Sequence, residues 1–162
     1  MKPTLYLIFS IQILLLVSCT ENKTIPLCVD QLPEGLRNDA NTILQISVPT
    51  NLNTLKIDDT MNIVVENISQ EVVYVAPDVD INFYLLKDNK WSLLDNQVDY
   101  LSVTTQILPA TDTDPGGMSY PGIFRIQENQ SPIQICVTVE GVKDSIGVQS
   151  KVAAFAEVTL RP

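Results

Sequence analysis

The stretch Ile133-Gln134-Ile135-Cys136-Val137-Thr138-Val139-Glu140 decides the fold class. Its odd-numbered residues are all Ile or Val, and successive side chains of an extended strand point to opposite faces of a sheet. One face of the stretch is therefore apolar and must be buried, which predicts a β-strand covered on that side. Cys136 falls on the opposite face, with Gln134 and Thr138, away from the predicted core.

Eight further short segments are apolar or alternating and are bounded by turn residues. They predict strands at residues 43–48, 61–66, 72–76, 81–86, 91–94, 100–108, 123–127 and 152–160. A tight turn at Asp88-Asn89 joins the fourth strand to the fifth. Nine short strands without an amphipathic helix predict an all-β fold, an antiparallel β-sandwich, which occupies residues 42–162 as one domain. Residues 19–41 contain two prolines and no period, and we interpret them as a tether and irregular segment.

The N-terminus carries an apolar run from Leu5 to Val17 after the positively charged Lys2. A membrane-spanning helix needs about 20 apolar residues, so this shorter run is typical of a secretory signal helix. It ends in Leu16-Val17-Ser18-Cys19, which resembles the lipobox of bacterial lipoproteins. The resemblance implies a signal peptide of residues 1–18 and a lipid on Cys19. The alternative is an ordinary secreted protein with an incidental cysteine.

The lipobox resemblance also implies a location. Several acyl chains on one residue anchor a protein stably, whereas one chain binds only marginally, so the membrane is an expected partner through Cys19. Lipoproteins retained in an inner membrane carry Asp directly after the cysteine, and this chain carries Thr20. We therefore expect a lipid-anchored protein of the cell envelope, at the outer membrane where the cell has one.

Four segments, in order, resemble parts of bacterial immunoglobulin-like domains. These are TMNIVVENIS (60–69), LLKDNKWSLL (85–94) with its tryptophan, YPGIFRI (120–126), and KVAAFAEVTL (151–160). The resemblance implies that the antiparallel β-sandwich is immunoglobulin-like. It implies no function, because this fold carries many unrelated functions.

Two cysteines remain after Cys19, namely Cys28 and Cys136. In an envelope compartment such an even pair predicts a disulfide. The position of Cys136 on the non-core face of its strand supports the bridge, since it can hold a segment such as residues 25–29 over that face. Two free thiols are the alternative.

The composition excludes several classes of function. The chain has 10 basic and 19 acidic residues, a net charge of −9, and no histidine. It lacks the basic surface that nucleic acid requires, so we expect no nucleic-acid partner. Histidine is the commonest general base and the centre of most catalytic triads, and its absence argues against an enzyme. We expect no catalytic residues and no cofactor.

Asp112 and Asp114 are weak candidates for metal ligands. Their two-residue spacing before Gly116-Gly117 resembles the opening of a calcium loop, which needs an acidic residue at its twelfth position. That position, counted from Asp112, is Ile123. A turn between strands explains the same residues, so we expect no metal.

Two functional hypotheses follow. The first is a lipid-anchored binding or scaffolding module of the cell envelope, without catalysis, whose partner is an envelope or surface protein or a glycan. The alternative is a protease inhibitor of immunoglobulin-like fold, because Gly116-Gly117 and Arg161-Pro162 resemble fragments of chagasin-like cysteine-protease inhibitors. The sequence identifies neither the ligand nor the residues that bind it.

Overall fold

The structure is a computed structural model that describes residues 25–48, 60–96, 98–114, 116–123 and 133–160. The predicted signal helix and Cys19 lie outside the described residues. Two short 3₁₀ turns, Cys28–Gln31 and Glu34–Leu36, precede the first strand.

Within the described residues, nine strands form two antiparallel sheets. The first sheet has the order β1 (Leu44–Ser47), β2 (Thr60–Asn67) and β7 (Gly117–Ile123). The second contains the other six strands, which are β3 (Val73–Val75), β4 (Ile81–Lys87), β5 (Lys90–Leu93), β6 (Thr105–Ile107), β8 (Ile133–Ser145) and β9 (Val148–Leu160). The all-β antiparallel sandwich predicted from the sequence is confirmed.

Strand β8 organises the second sheet. One of its edges pairs with β9 from Ile133 to Ser145. Its other edge pairs first with β4 and then with β3, which follow each other along it. A single helical turn, Pro77–Asp80, separates β3 from β4, and the Asp80 carboxylate accepts a hydrogen bond from the Ala76 N–H at 2.7 Å. Because of this arrangement, β8 is covered along both edges.

The core lies between the sheets and consists of the faces that alternate inward. Ile135, Val137 and Val139 are fully buried, as the alternation predicts. They pack with residues of both sheets, including Ile63, Val65, Val73, Val75 and Phe83. Burying such a side chain contributes roughly 1.5–3 kcal/mol, so this cluster is the main source of stability.

Strand β7 differs from the prediction. The predicted seventh strand, residues 123–127, lies outside the described residues beyond Ile123, and the strand that forms is Gly117–Ile123. Pro121, which precedes the predicted strand, lies inside the observed one. It is tolerated because β7 is at the edge of its described sheet and pairs only with β2, opposite Asn62.

The predicted sixth strand, residues 100–108, is also too long, since only Thr105–Ile107 pairs in a sheet. The reason lies in Tyr100. Its hydroxyl donates a hydrogen bond to the carbonyl oxygen of Pro121 in the other sheet, and its ring stands edge-on to Tyr120 at 6.3 Å. Tyr100 therefore closes the sandwich and does not extend β6.

The last two strands are longer than predicted. Strand β8 continues to Ser145, and strand β9 begins as early as Val148. The two strands form one hairpin, with Ile146-Gly147 as its turn. Gly141, which directly follows the predicted strand 133–140, lies inside β8. A Cβ at Gly141 would come within 2.9 Å of the Val73 side chain and 3.1 Å of the Tyr74 carbonyl oxygen. Glycine is needed here because β3 approaches closely.

Candidate functional site

The N-terminal segment is bound to the outer face of β8 by a disulfide. Cys28 and Cys136 form the bridge predicted from the sequence, with their Cα atoms 5.4 Å apart. Cys136 has no exposed surface and Cys28 is 1% exposed. The face that the alternation marked as polar is thus covered, since the first 3₁₀ turn lies over it.

Further contacts fix this segment. The Trp91 indole Nε1 donates to the Pro26 carbonyl oxygen at 2.8 Å, and the Arg37 guanidinium donates to the carbonyl oxygens of Leu32 and Asp30 at 2.9 Å. Leu32 is buried. We call residues 25–37, with Trp91 and the disulfide, the N-terminal clamp. It holds the start of the described chain beside the first residues of β8.

Three connections meet at the opposite end of β8. The 68–72 connection joins β2 to β3, the 108–116 connection joins β6 to β7, and Ile146-Gly147 joins β8 to β9. The strand registers place them together, because Val73 pairs with both Ile107 and Lys143. We call these three connections the distal end.

Asn67 ties two of these connections together. Its side chain is fully buried, and its Nδ2 donates to the carbonyl oxygens of Glu71 at 2.7 Å and Ile107 at 2.9 Å. Its Oδ1 accepts from the backbone N–H and the hydroxyl of Ser69 at 3.0 and 2.8 Å. The sequence motif Asn-X-Ser therefore acts as a turn that organises the distal end.

The 108–116 connection contains the candidate metal ligands, and its hydrogen bonds explain Asp114 as a turn residue. The Asp114 carboxylate accepts from the Gly116 N–H at 2.9 Å, and the Asp114 N–H donates to the Thr111 hydroxyl at 3.0 Å. Asp112 is exposed. Over the described ranges, no three His, Cys, Asp or Glu residues are grouped as metal ligands would be. The structure thus assigns a ligand role to neither aspartate.

The hairpin at the distal end carries an unusual residue. Ile146 has φ = 52° and is 102% exposed, and it is followed by Gly147 with φ = 78°. The Gly147 N–H donates to the Asp144 carboxylate at 3.0 Å. Asn, Asp or Gly normally occupies both positions of such a turn, and a β-branched residue in the left-handed region is an outlier. Ile146 is therefore strained as well as fully exposed.

Other apolar side chains are exposed at the same end. Val148 is 68% exposed, and Ile68 and Leu108 are about half exposed on the neighbouring connections. None of these four residues was predicted as a binding residue from the sequence. The detectable signal was Ile146-Gly147 itself, an apolar residue in a two-residue turn between alternating segments.

A groove of about 270 Å³ opens between β4 and residues 93–100. Asp78, Asn82, Asp99 and Tyr100 line it together with apolar residues such as Leu93. It contains two carboxylates and no cationic side chain among its lining residues, so an anionic ligand is disfavoured there. The groove is small and half open, and we assign it no function.

Ionisation of the Tyr100 and Tyr120 hydroxyls is expected to lower the stability of the fold at alkaline pH. Burial raises the pKa of both hydroxyls above the ordinary value of 10.0. A tyrosine hydroxyl whose pKa is higher in the folded than in the unfolded state stabilises the fold below about pH 10. This stabilisation is lost as the pH rises above that value. We expect the urea midpoint to fall between about pH 9 and pH 11, and less so in Tyr100→Phe. A midpoint that is constant over this range would contradict the assignment.

Among the described residues, no helix has the length and apolar character that crossing a membrane requires. No family model matches the chain, and no curated protein matches its sequence. One solved structure with a similar course of the chain is Spo0M, a sporulation control protein from Bacillus subtilis. The two chains are 10% identical, and their superposition has a TM-score of 0.36. The match covers 74% of this chain and 49% of that protein's chain. A likeness this distant supports no functional conclusion.

Proposed function

We propose that this chain is a lipid-anchored binding or scaffolding module of the cell envelope, held by Cys19 and acting without catalysis. Its partner is an envelope or surface protein, which it contacts through the distal end. The observation that carries the proposal is the exposed, strained Ile146 at the end of the β8–β9 hairpin.

The N-terminal clamp supports this orientation. Ile146 follows the end of β8 and lies ten positions after Cys136, which is about 33 Å along an extended strand at about 3.3 Å per residue. Cys28 lies nine positions after Cys19, a span of at most about 32 Å. A lipid on Cys19 would therefore hold the clamped end of the domain near the membrane, with the distal end at the other end of β8.

Exposed apolar groups also support a binding role. Binding surfaces commonly contain apolar side chains that the free protein leaves in water, and most binding energy comes from a few such residues. Three of them, Ile68, Leu108 and Ile146, are present on connections at one end of the sandwich and Val148 begins β9 beside them, where sequence changes do not disturb the core.

No specific observation favours the protease inhibitor. Gly116 has φ = +64° and is buried, and a Cβ there would lie 2.4 Å from the Ala110 nitrogen. Gly117 pairs with Glu66 inside the first sheet. The fold therefore explains why glycine occupies both positions, without any role in inhibition. Arg161-Pro162 lies outside the described residues.

The anchor is tested by fractionating cells that express the wild-type chain or Cys19→Ala. We expect the wild-type protein in the membrane fraction and the variant in the soluble envelope fraction, since the variant lacks the acylated thiol. Ser18→Ala is the matched control, because it keeps a small residue before the cysteine and should remain in membranes. A Cys19→Ala protein that stays with the membranes would refute the lipid anchor.

A further inference from the structure

We propose that the distal end inserts Ile146 and Val148 into an apolar pocket of a partner protein whose rim carries Lys and Arg side chains. This inference rests on the proposed function, and it specifies the partner's chemistry and the residues that contact it.

The hairpin has the shape of an inserting element. Beyond the Val73–Lys143 pair, no described strand pairs with the second edge of β8, whereas β8 and β9 remain paired up to Ser145 and Val148. The last two residue pairs therefore extend past β3 as a two-stranded projection. Its end carries Ile146 outermost and Val148 beside it. Such a projection fits a concave surface better than a flat one.

The conformation of Ile146 is costly to the free protein. A β-branched residue in the left-handed region is strained, and an exposed Ile loses the stabilisation that burial would give. Asn or Gly would remove both costs at this position. Strain of this kind concentrates at sites that bind ligands, and an exposed Ile regains its burial energy when a pocket covers it.

The charged residues near the hairpin indicate the kind of pocket that it would fit. Asp112 and Asp114 belong to the distal end and Asp144 lies on β8 two residues before Ile146, and within the described part of the chain none of them has an ion-pair partner. Among the described residues, two cations lie near this hairpin and both face carboxylates, since Lys143 is paired with Glu71 at 2.6 Å and Lys151 lies 3.9 Å from Glu140. The Lys143 contact and a hydrogen bond from Ser145 lower the pKa of Glu71. The three aspartates therefore leave excess negative charge at this end of the sandwich.

An acidic rim around an apolar tip suits a partner of opposite charge. Complementary potentials steer association and exclude partners of like charge. The same acidic rim disfavours insertion into an anionic lipid surface, which attracts basic segments. We therefore commit to a protein pocket, apolar inside and cationic at its rim.

The test is site-specific photocrosslinking of the full chain in intact cells. The photoreactive amino acid p-benzoylphenylalanine is incorporated in place of Val148, and in a control chain in place of Lys90 on the β4–β5 hairpin. After irradiation, adducts are purified and the linked peptide is identified by mass spectrometry. We expect one adduct that is specific to position 148, linked to an apolar residue of another protein that is flanked by Lys or Arg.

Second substitutions in the Val148-labelled chain sharpen the test. Ile146→Asn is expected to reduce the adduct about tenfold or more. Its urea midpoint should rise, because Asn tolerates the left-handed conformation, so a lost adduct does not reflect unfolding. Leu101→Asn is the matched control, since Leu101 is 76% exposed outside the distal end, and it should leave the adduct unchanged. Asp112→Lys should reduce the adduct through charge repulsion.

Three results would overturn the inference. These are adducts of lipid mass, adducts to a second copy of this chain, and a yield that does not change with Ile146→Asn. A chain that fractionates with membranes but gives no adduct at position 148 would also refute it, while the lipid anchor would stand. A chain that is not membrane-bound would refute the anchor independently of the adduct.

Discussion

Removing the disulfide by the double substitution Cys28→Ala and Cys136→Ala is expected to lower the free energy of unfolding by about 4 kcal/mol. The bridge joins residues 108 positions apart. In the chain-entropy account, a loop of about 100 residues corresponds to roughly 4.7 kcal/mol, and losses of about 2–5 kcal/mol are typical. The loss should be large here because both sulfurs are buried and the first 3₁₀ turn covers the outer face of β8.

Urea unfolding of the oxidised wild type, the reduced wild type and the double variant measures this effect. Reduced wild type and the variant should unfold at similar, lower midpoints. Trp91 fluorescence provides a local readout, since its indole donates to Pro26 within the N-terminal clamp. The account of the clamp would be wrong if the double variant lost less than about 1 kcal/mol and its tryptophan emission were unchanged.

Asn67→Ala is expected to destabilise the domain by about 3 kcal/mol. The substitution removes two donated and two accepted hydrogen bonds at a fully buried position. The carbonyl oxygen of Ile107 loses its side-chain donor in the interior, and each unsatisfied buried polar group costs about 1–3 kcal/mol. The connections at 68–72 and 108–116 should also loosen, because Asn67 holds both.

Two variants calibrate this result. Asn62→Ala removes an exposed asparagine from the same strand, and we expect a change within about 0.5 kcal/mol. Asn67→Asp keeps the size and the acceptor but removes both Nδ2 donors, so it should be destabilised nearly as much as Asn67→Ala. Amide hydrogen exchange should rise at residues 68–72 in both Asn67 variants. Equal stability of Asn67→Ala and Asn62→Ala would contradict the role of Asn67.

The sequence was informative where one face of a strand is buried and the other is not. Alternation predicted the buried face of residues 133–139 and the placement of Cys136 opposite it, which supported the disulfide predicted from the even pair of cysteines. The turn at Asp88-Asn89 was also predicted, and both residues have positive φ, 51° and 60°, as a two-residue hairpin turn requires.

The errors arose where tertiary contacts override local preference. Pro121 and Gly141 both suggest chain breaks, yet the first lies on a sheet edge and the second is required by the close approach of β3. Asn67 has the local bonds of an ordinary turn residue, to Ser69 and Glu71, and the bond that ties it to a second connection is to Ile107, 40 residues away in sequence. Ile146 escaped notice for a different reason, since an apolar residue next to a strand is normally interpreted as part of that strand.

The central claim is that lipidated Cys19 holds this domain in the envelope by its clamped end. The most direct test is the mass of the N-terminal peptide of the full chain purified from membranes. We expect a peptide that begins at Cys19 and carries the mass of a thioether-linked diacylglycerol. A peptide that begins elsewhere, or an unmodified Cys19, would contradict the claim.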